Sequence, residues 1–153
     1  MNQPPPFDLA LAHRWFSSDC FNRVWSLLDK SDRTPDESEA MTSLAHASLA
    51  HWRARADCTA QNLSIGYWQL SRVYAVLGQA DNARRYGRLC LAVSSSEPPF
   101  YLGYAHESLA RAERLAGNAA AAAEHLREAR RLAAQVTEQD ERTALEADLG
   151  GLI

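Results

Sequence analysis

The sequence predicts an all-α protein built as an array of antiparallel helical hairpins, with about eight helices in 153 residues. The first reason is internal. Moved along itself by 39 positions, the chain places Leu70, Ser71, Gly78, Ala83 and Cys90 on Leu109, Ala110, Gly117, Ala122 and Ala129. A two-helix unit cannot bury its apolar face alone and must stack on neighbours, so such a period is an architectural signal. The second reason is that apolar residues recur at spacings of three and four. The third is that no useful stretch alternates polar and apolar residues with period two, as a half-buried strand would.

Residues 1 to 6 read as an unstructured lead, because prolines at 4, 5 and 6 hold their predecessors out of helical geometry. A short first helix is expected from Phe7 to Phe16, and Ser17-Ser18-Asp19 offers cap residues for a second helix carrying Phe21, Val24, Trp25 and Leu28. Thr34-Pro35-Asp36-Glu37 is the sharpest local start signal: threonine caps, proline suits the first turn, and glutamate reaches back to the cap. The third helix then runs to about Ala56, with Met41, Leu44, Ser48, His51 and Trp52 gathered on one side. A fourth, from about Ala60 to Leu77, is apolar nearly all round and is therefore expected between two neighbours. Gly78 ends it, Asp81 opens a fifth helix, and Ser94 to Pro99 form a loop. The sixth helix spans about Pro99 to Ala116, the seventh about Ala119 to Val136, and Thr137 is expected to cap a last one through Leu149. The organisation expected is one domain over 7–153, with repeat-like units at about 18–56, 60–96 and 98–136 and a terminal helix at 137–150.

Composition narrows the function classes. With 46% apolar residues the chain can build a core, and a net charge of -3 supplies no basic field for phosphates, so neither nucleic acid nor an anionic membrane is an expected partner. Cys20, Cys58 and Cys90 are too far apart for a Cys-x-x-Cys motif and read as reduced thiols. No cationic start precedes an apolar run, and no 18-residue apolar stretch occurs, so the expected compartment is the cytoplasm. Lys30 is the only lysine among 16 basic residues, and alanine is abundant, a bias associated with GC-rich bacterial genomes.

The stretch from Tyr67 to Ser95 resembles a tetratricopeptide repeat: Tyr67, Leu70, Ser71, Tyr74, Gly78 and Ala83 match its consensus, with Tyr86 one place early and Cys90 for the final alanine. The next unit matches at Leu109, Ala110, Gly117, Ala122 and Ala129, but His106 and Glu113 stand at the bulky and tyrosine positions. The closing proline is absent at Ser95 and Ala134, and a degenerate first unit gives Ala40 and Leu44 the roles of Ala83 and Gly87. The order of AHASLAHW, NLSIGYWQLSRVYAVLG and YAHESLARAE is also similar to bacterial tetratricopeptide-like proteins. This resemblance implies a right-handed superhelix whose first helices line a concave wall that binds protein or peptide.

On that wall the candidate ligand residues are Trp68 and Arg72 from the fourth helix and Phe100, Tyr104, Glu107, Arg111 and Arg114 from the sixth, with His51, Trp52 and Asn62 as secondary candidates. Arginine forks read carboxylates, and Tyr and Trp bury much area with few rotatable bonds, so an extended or acidic peptide suits the set. The competing readings are a small-molecule-sensing regulatory domain using a Trp/Arg/Tyr-lined pocket, a less favoured metal-dependent enzyme of the histidine-bearing helices, and a purely structural Glu107–Arg111 pair, with Glu107 also the expected partner of Arg72. No metal centre or cofactor is expected, because His46 and His51 are five residues apart and project in different directions from a helix, so they do not join His106 and Glu107 in a ligand set. His51 beside Trp52 reads as a core histidine, and His13 and His125 as surface residues. Ser71 and Ser108 sit at packing positions, no nucleophile motif is present, and an enzyme is not expected. For the terminal helix, capping the array and pairing with a second copy as a homodimer are both open.

Overall fold

A computed structural model describes residues 3–152. They hold seven α-helices and no strand: α1 (Leu9–Leu28), α2 (Pro35–Arg53), α3 (Ala60–Val76), α4 (Ala80–Ser94), α5 (Pro99–Leu115), α6 (Ala119–Ala133) and α7 (Gln139–Gly150). None of the described helices is long and apolar enough to cross a membrane. Consecutive helices pack as hairpins, α1 on α2, α3 on α4 and α5 on α6, and the chain divides into two compact units at Thr59.

In the first unit the expected break at 17–19 does not occur, which is why seven helices stand where about eight were predicted. Ser17 is buried, its hydroxyl donates to the Arg14 carbonyl at 3.0 Å, and the Ser48 hydroxyl donates to the Ser17 carbonyl at 2.7 Å. The serine thus bonds inward in mid-helix instead of capping a new one, and neither proline nor glycine interrupts the turn. Helix α2 begins as read: Glu37 N–H donates to Thr34 Oγ1 at 3.2 Å, and the Thr34 N–H donates to the Glu37 carboxylate at 2.9 Å. Its inner stripe is Met41, Ala45, Ser48 and Leu49. Ala40 is exposed and Leu44 half-buried, whereas the next residues, Met41 and Ala45, are buried.

In the second unit the period is carried by the backbone itself. Helices α3 and α5 are each 17 residues long and start at Ala60 and Pro99; α4 and α6 are each 15 and start at Ala80 and Ala119. The turns repeat too. Gly78 and Gly117 have φ of 75° and 80°, and Gln79 and Asn118 donate from their backbone N–H to the Tyr74 and Glu113 carbonyls at 2.9 Å. This closure requires a residue with positive φ, which glycine adopts without a Cβ clash. Helix α3 packs on both α4 and α5, as its apolar circumference implies. Helix α7 closes the unit, burying Leu145 and Leu149 with Ala110, Ala129, Ala133, Val136 and Leu152. Its N-cap is Glu138, one residue beyond the expected Thr137.

Candidate functional site

Helices α3, α5 and α7 pack so that residues 39 apart meet across the α3–α5 contact. Trp68 and Glu107 occupy equivalent positions, and the Trp68 indole Nε1 donates to Glu107 Oε2 at 2.8 Å. Arg111, one turn later on α5, donates through Nε to Glu107 Oε1 at 3.0 Å and pairs with the same oxygen through Nη2. Glu107 is fully buried, so its charge is held by these donors rather than by water.

Arg72, the equivalent of Arg111, completes the group. Its Nη1 lies 3.9 Å from Glu107 Oε1 and 4.0 Å from Asp148 Oδ1 of α7, an ion-pair position with no direct hydrogen bond for that nitrogen. Burial, then the Arg111 charge, lowers the Arg72 pKa, while Glu107 and Asp148 oppose the shift. Tyr104 donates its hydroxyl to Asp148 Oδ2 at 2.8 Å, and its phenol pKa is raised, first by burial and then by that carboxylate. Its ring meets Trp68 edge-on at 5.1 Å and Phe100 edge-on at 5.1 Å. Two guanidiniums and two carboxylates thus sit among three rings and tie α3, α5 and α7 together.

Beside this network lies an open groove of about 480 Å³, lined by Ala75, Val76, Arg111, Arg114, Leu115, Gly151 and Leu152. Its apolar side is partly exposed, with Val76 at 41% and Leu115 at 43%. Arg114 reaches the Leu152 carbonyl with Nη1. Of the seven predicted ligand residues, Arg111 and Arg114 line this groove; Trp68, Arg72, Tyr104 and Glu107 form the network behind it, and Phe100 braces Tyr104. Among the secondary candidates, Asn62 is half-buried near the start of α3, outside the groove lining. His51 and Trp52 belong to the first unit, where His51 bonds His13 at 2.8 Å and Trp52 carries the Arg55 guanidinium 3.9 Å from its ring centre.

Four of the five histidines pair within hairpins, His13 with His51 and His106 with His125, whose Nδ1 atoms meet at 3.0 Å. His13 and His125, read as surface residues, are therefore half-buried partners. No group of three or more His, Cys, Asp or Glu side chains among the described residues is arranged to hold a metal ion. The Cys90 thiol is buried against Ser64 and Ser94, and desolvation pushes its pKa up to about 11, which makes it a poor nucleophile at neutral pH.

The departure at Glu113 also finds its reason. Arg84 of α4 donates to both carboxylate oxygens at 2.7 and 3.1 Å, and Asn118 donates at 2.6 Å, so a three-residue polar clamp stands where the preceding hairpin has Tyr74. Comparison with protein-family models, curated proteins and solved structures yields no match. Asp148 and Arg84 escaped the sequence reading because each acts across a helix contact that no periodicity reports. The buried-position charge at Glu113 was the one available signal for the clamp.

Proposed function

We propose that the chain is a tetratricopeptide-like interaction module whose groove between α3, α5 and the segment after α7 takes an extended peptide bearing an acidic side chain or a terminal carboxylate. The observation that carries this reading is the groove itself: open, apolar along Val76, Leu115 and Leu152, and edged by Arg111 and Arg114. An open trough accommodates a strand-like segment, whereas a small molecule is better retained by a closed cavity. The aromatic and charged residues behind it support the reading by holding the wall rigid, which reduces the ordering cost of binding. A binding role rather than a catalytic one is supported by the suppressed acidity of Cys90 and by the engagement of Glu107 with two donors, Trp68 and Arg111, and an ion pair to Arg72.

The test is a phage-displayed library of peptides with free carboxyl termini, panned on the full chain, followed by titration of the enriched sequences. Acidic peptides should dominate. Arg114 is exposed, so Arg114→Glu should leave helicity intact and weaken the winners by about tenfold, equal to about 1.4 kcal/mol. Affinities unchanged by Arg114→Glu and by Leu115→Asp would remove the groove from the function.

A further inference from the structure

Eight large apolar side chains stand exposed among the described residues, and five of them fall within residues 7–16: Phe7, Leu9, Leu11, Trp15 and Phe16. At about 100° per residue, Leu11 and Trp15 leave α1 on the side directly away from Ser17, Cys20 and Val24, which the helix buries. The Phe16 ring is held at the edge of this patch, stacked on His51 at 5.3 Å and edge-on to Trp15 at 5.0 Å. One turn later the outward side changes character, because Ser18, Asn22 and Ser26 are exposed and polar. The apolar patch is therefore confined to the first half of α1, a length of about 15 Å at 1.5 Å rise per residue.

Its size and charge select what covers it. With a whole aromatic side chain presenting about 150–250 Å², exposures of 42–63% over five residues leave roughly 500 Å² of apolar surface. Doubled by a two-fold axis, the patch reaches roughly 1,000 Å², where specific interfaces begin. Asp8 and Arg14 are the only Asp, Glu, Lys or Arg in 7–16 and cancel, and serine and asparagine continue the outward side. A helix lying on an anionic bilayer would instead carry a lysine- and arginine-rich polar face. An antiparallel second copy matches the patch. Crossing at Ala12, whose small side chain lets helix axes approach, it lays the apolar half of each helix over that of the other and leaves both polar halves in water. The same crossing brings Asp8 within a turn of Arg14 of the second copy. Asp8 is fixed in place, since its Oδ1 accepts the Leu11 N–H at 3.0 Å. Arg14 is loosely held, 3.9 Å from Asp57 between two exposed side chains, and such a contact is cheap to exchange. At the other end of the chain, α7 turns Leu145 and Leu149 into its own core.

We propose that the chain forms a two-fold homodimer through the first half of α1, with the helices crossing antiparallel at Ala12 and Trp15 of each copy as the anchor. Tryptophan suits that role because it buries a large area with few rotatable bonds. A face of this size gives a reversible dimer of micromolar strength. The contact lies in the first unit and the groove in the second, so dimerisation and peptide capture are tested separately.

Light scattering and sedimentation equilibrium on the full chain, over a concentration series reaching the sub-millimolar range, read the association. The mass should climb from 17.0 kDa toward twice that value. Leu11→Glu and Trp15→Glu alter exposed positions, so each should keep the helical spectrum and weaken the dimer about tenfold or more, while Leu115→Asp in the groove leaves it unchanged. A chain that remains at 17.0 kDa throughout, or a dimer indifferent to both substitutions, overturns the assignment. A monomeric chain that binds phospholipid vesicles and loses them in Trp15→Glu also overturns it, and gives the patch to a membrane. Should Trp15→Glu lose helicity, hydrogen exchange of the wild-type chain decides: amide protection within 7–16 that rises with concentration supports the dimer, and protection independent of concentration overturns it.

Discussion

The hairpins α3/α4 and α5/α6 coincide in helix length, turn geometry and spacing, yet they are filled with different chemistry. The first is held by rings: Tyr67, Tyr74 and Tyr86 stack, with Tyr74 and Tyr86 only 5° from parallel, and Trp68 lies at the stacking face. At the equivalent places the second carries His106, Glu113, His125 and Glu107. A backbone repeat can therefore be preserved while its side chains change from apolar packing to ion pairs, provided every introduced charge finds a donor. Arg111, Arg72 and Trp68 serve Glu107, and Arg84 with Asn118 serves Glu113.

The largest test of that contrast is to strip one charge from the second hairpin and the matching ring from the first. Glu107→Leu leaves two guanidiniums without their shared carboxylate and should cost about 3 kcal/mol in urea unfolding. Trp68→Leu keeps the Glu107–Arg111 pair and should cost visibly less. Equal losses would mean that the two hairpins are held by the same kind of contact. Next comes Gly103, whose counterpart is Ser64. A Cβ there would stand 2.7 Å from Leu145 Cδ2, so Gly103→Ala should cost about 1–2 kcal/mol through overpacking against α7. Since Leu145 is fully buried, little room exists for it to retreat.

The shared turns should respond alike. Gly78→Ala and Gly117→Ala each place an L side chain at φ near 80° with open space around it, and each should cost about 1 kcal/mol from backbone strain alone. A clear difference between them would break the equivalence of the turns. The smallest effect is in pH. The folded His106 pKa lies below its ordinary value of 6.5, so its contribution to stability is complete above about 6.5 and is lost as pH falls toward the folded value. The paired substitution His106→Tyr with His125→Tyr recreates the ring contact of the first hairpin and should flatten the fall in melting temperature between pH 7 and 5. Part of the fall should persist, because burial lowers the His51 pKa in the same direction.

Much of this arrangement was legible in the chain because it is local or periodic. The capping box at Thr34, the glycine closures at 78 and 117 and the Glu107–Arg111 pair each depend on residues within one helical turn. The pairing of Arg72 with Glu107 was legible as well, since an arginine in a largely apolar helix needs an acceptor. Contacts between helices were less readable. The joining of Trp68 to Glu107 follows from the packing of α3 on α5, and that of Tyr104 to Asp148 from where α7 docks. Ser17 misled the reading because a serine hydroxyl serves equally well as a cap and as an inward donor in mid-helix; burial decided between them.

The match in register between Ala60 and Pro99 has a consequence for how such a chain can lengthen. A tandem copy of residues 60–98 inserted before Pro99 would meet its neighbours with compatible turns and equal helices, so growth by duplication needs no redesign of the main chain. The inserted unit would, however, bring an indole where the preceding Trp68 requires an oxygen, and the Trp68 proton would be stranded at the new junction while the inserted indole takes over Glu107. Elongation here is permitted by geometry and gated by a single acceptor.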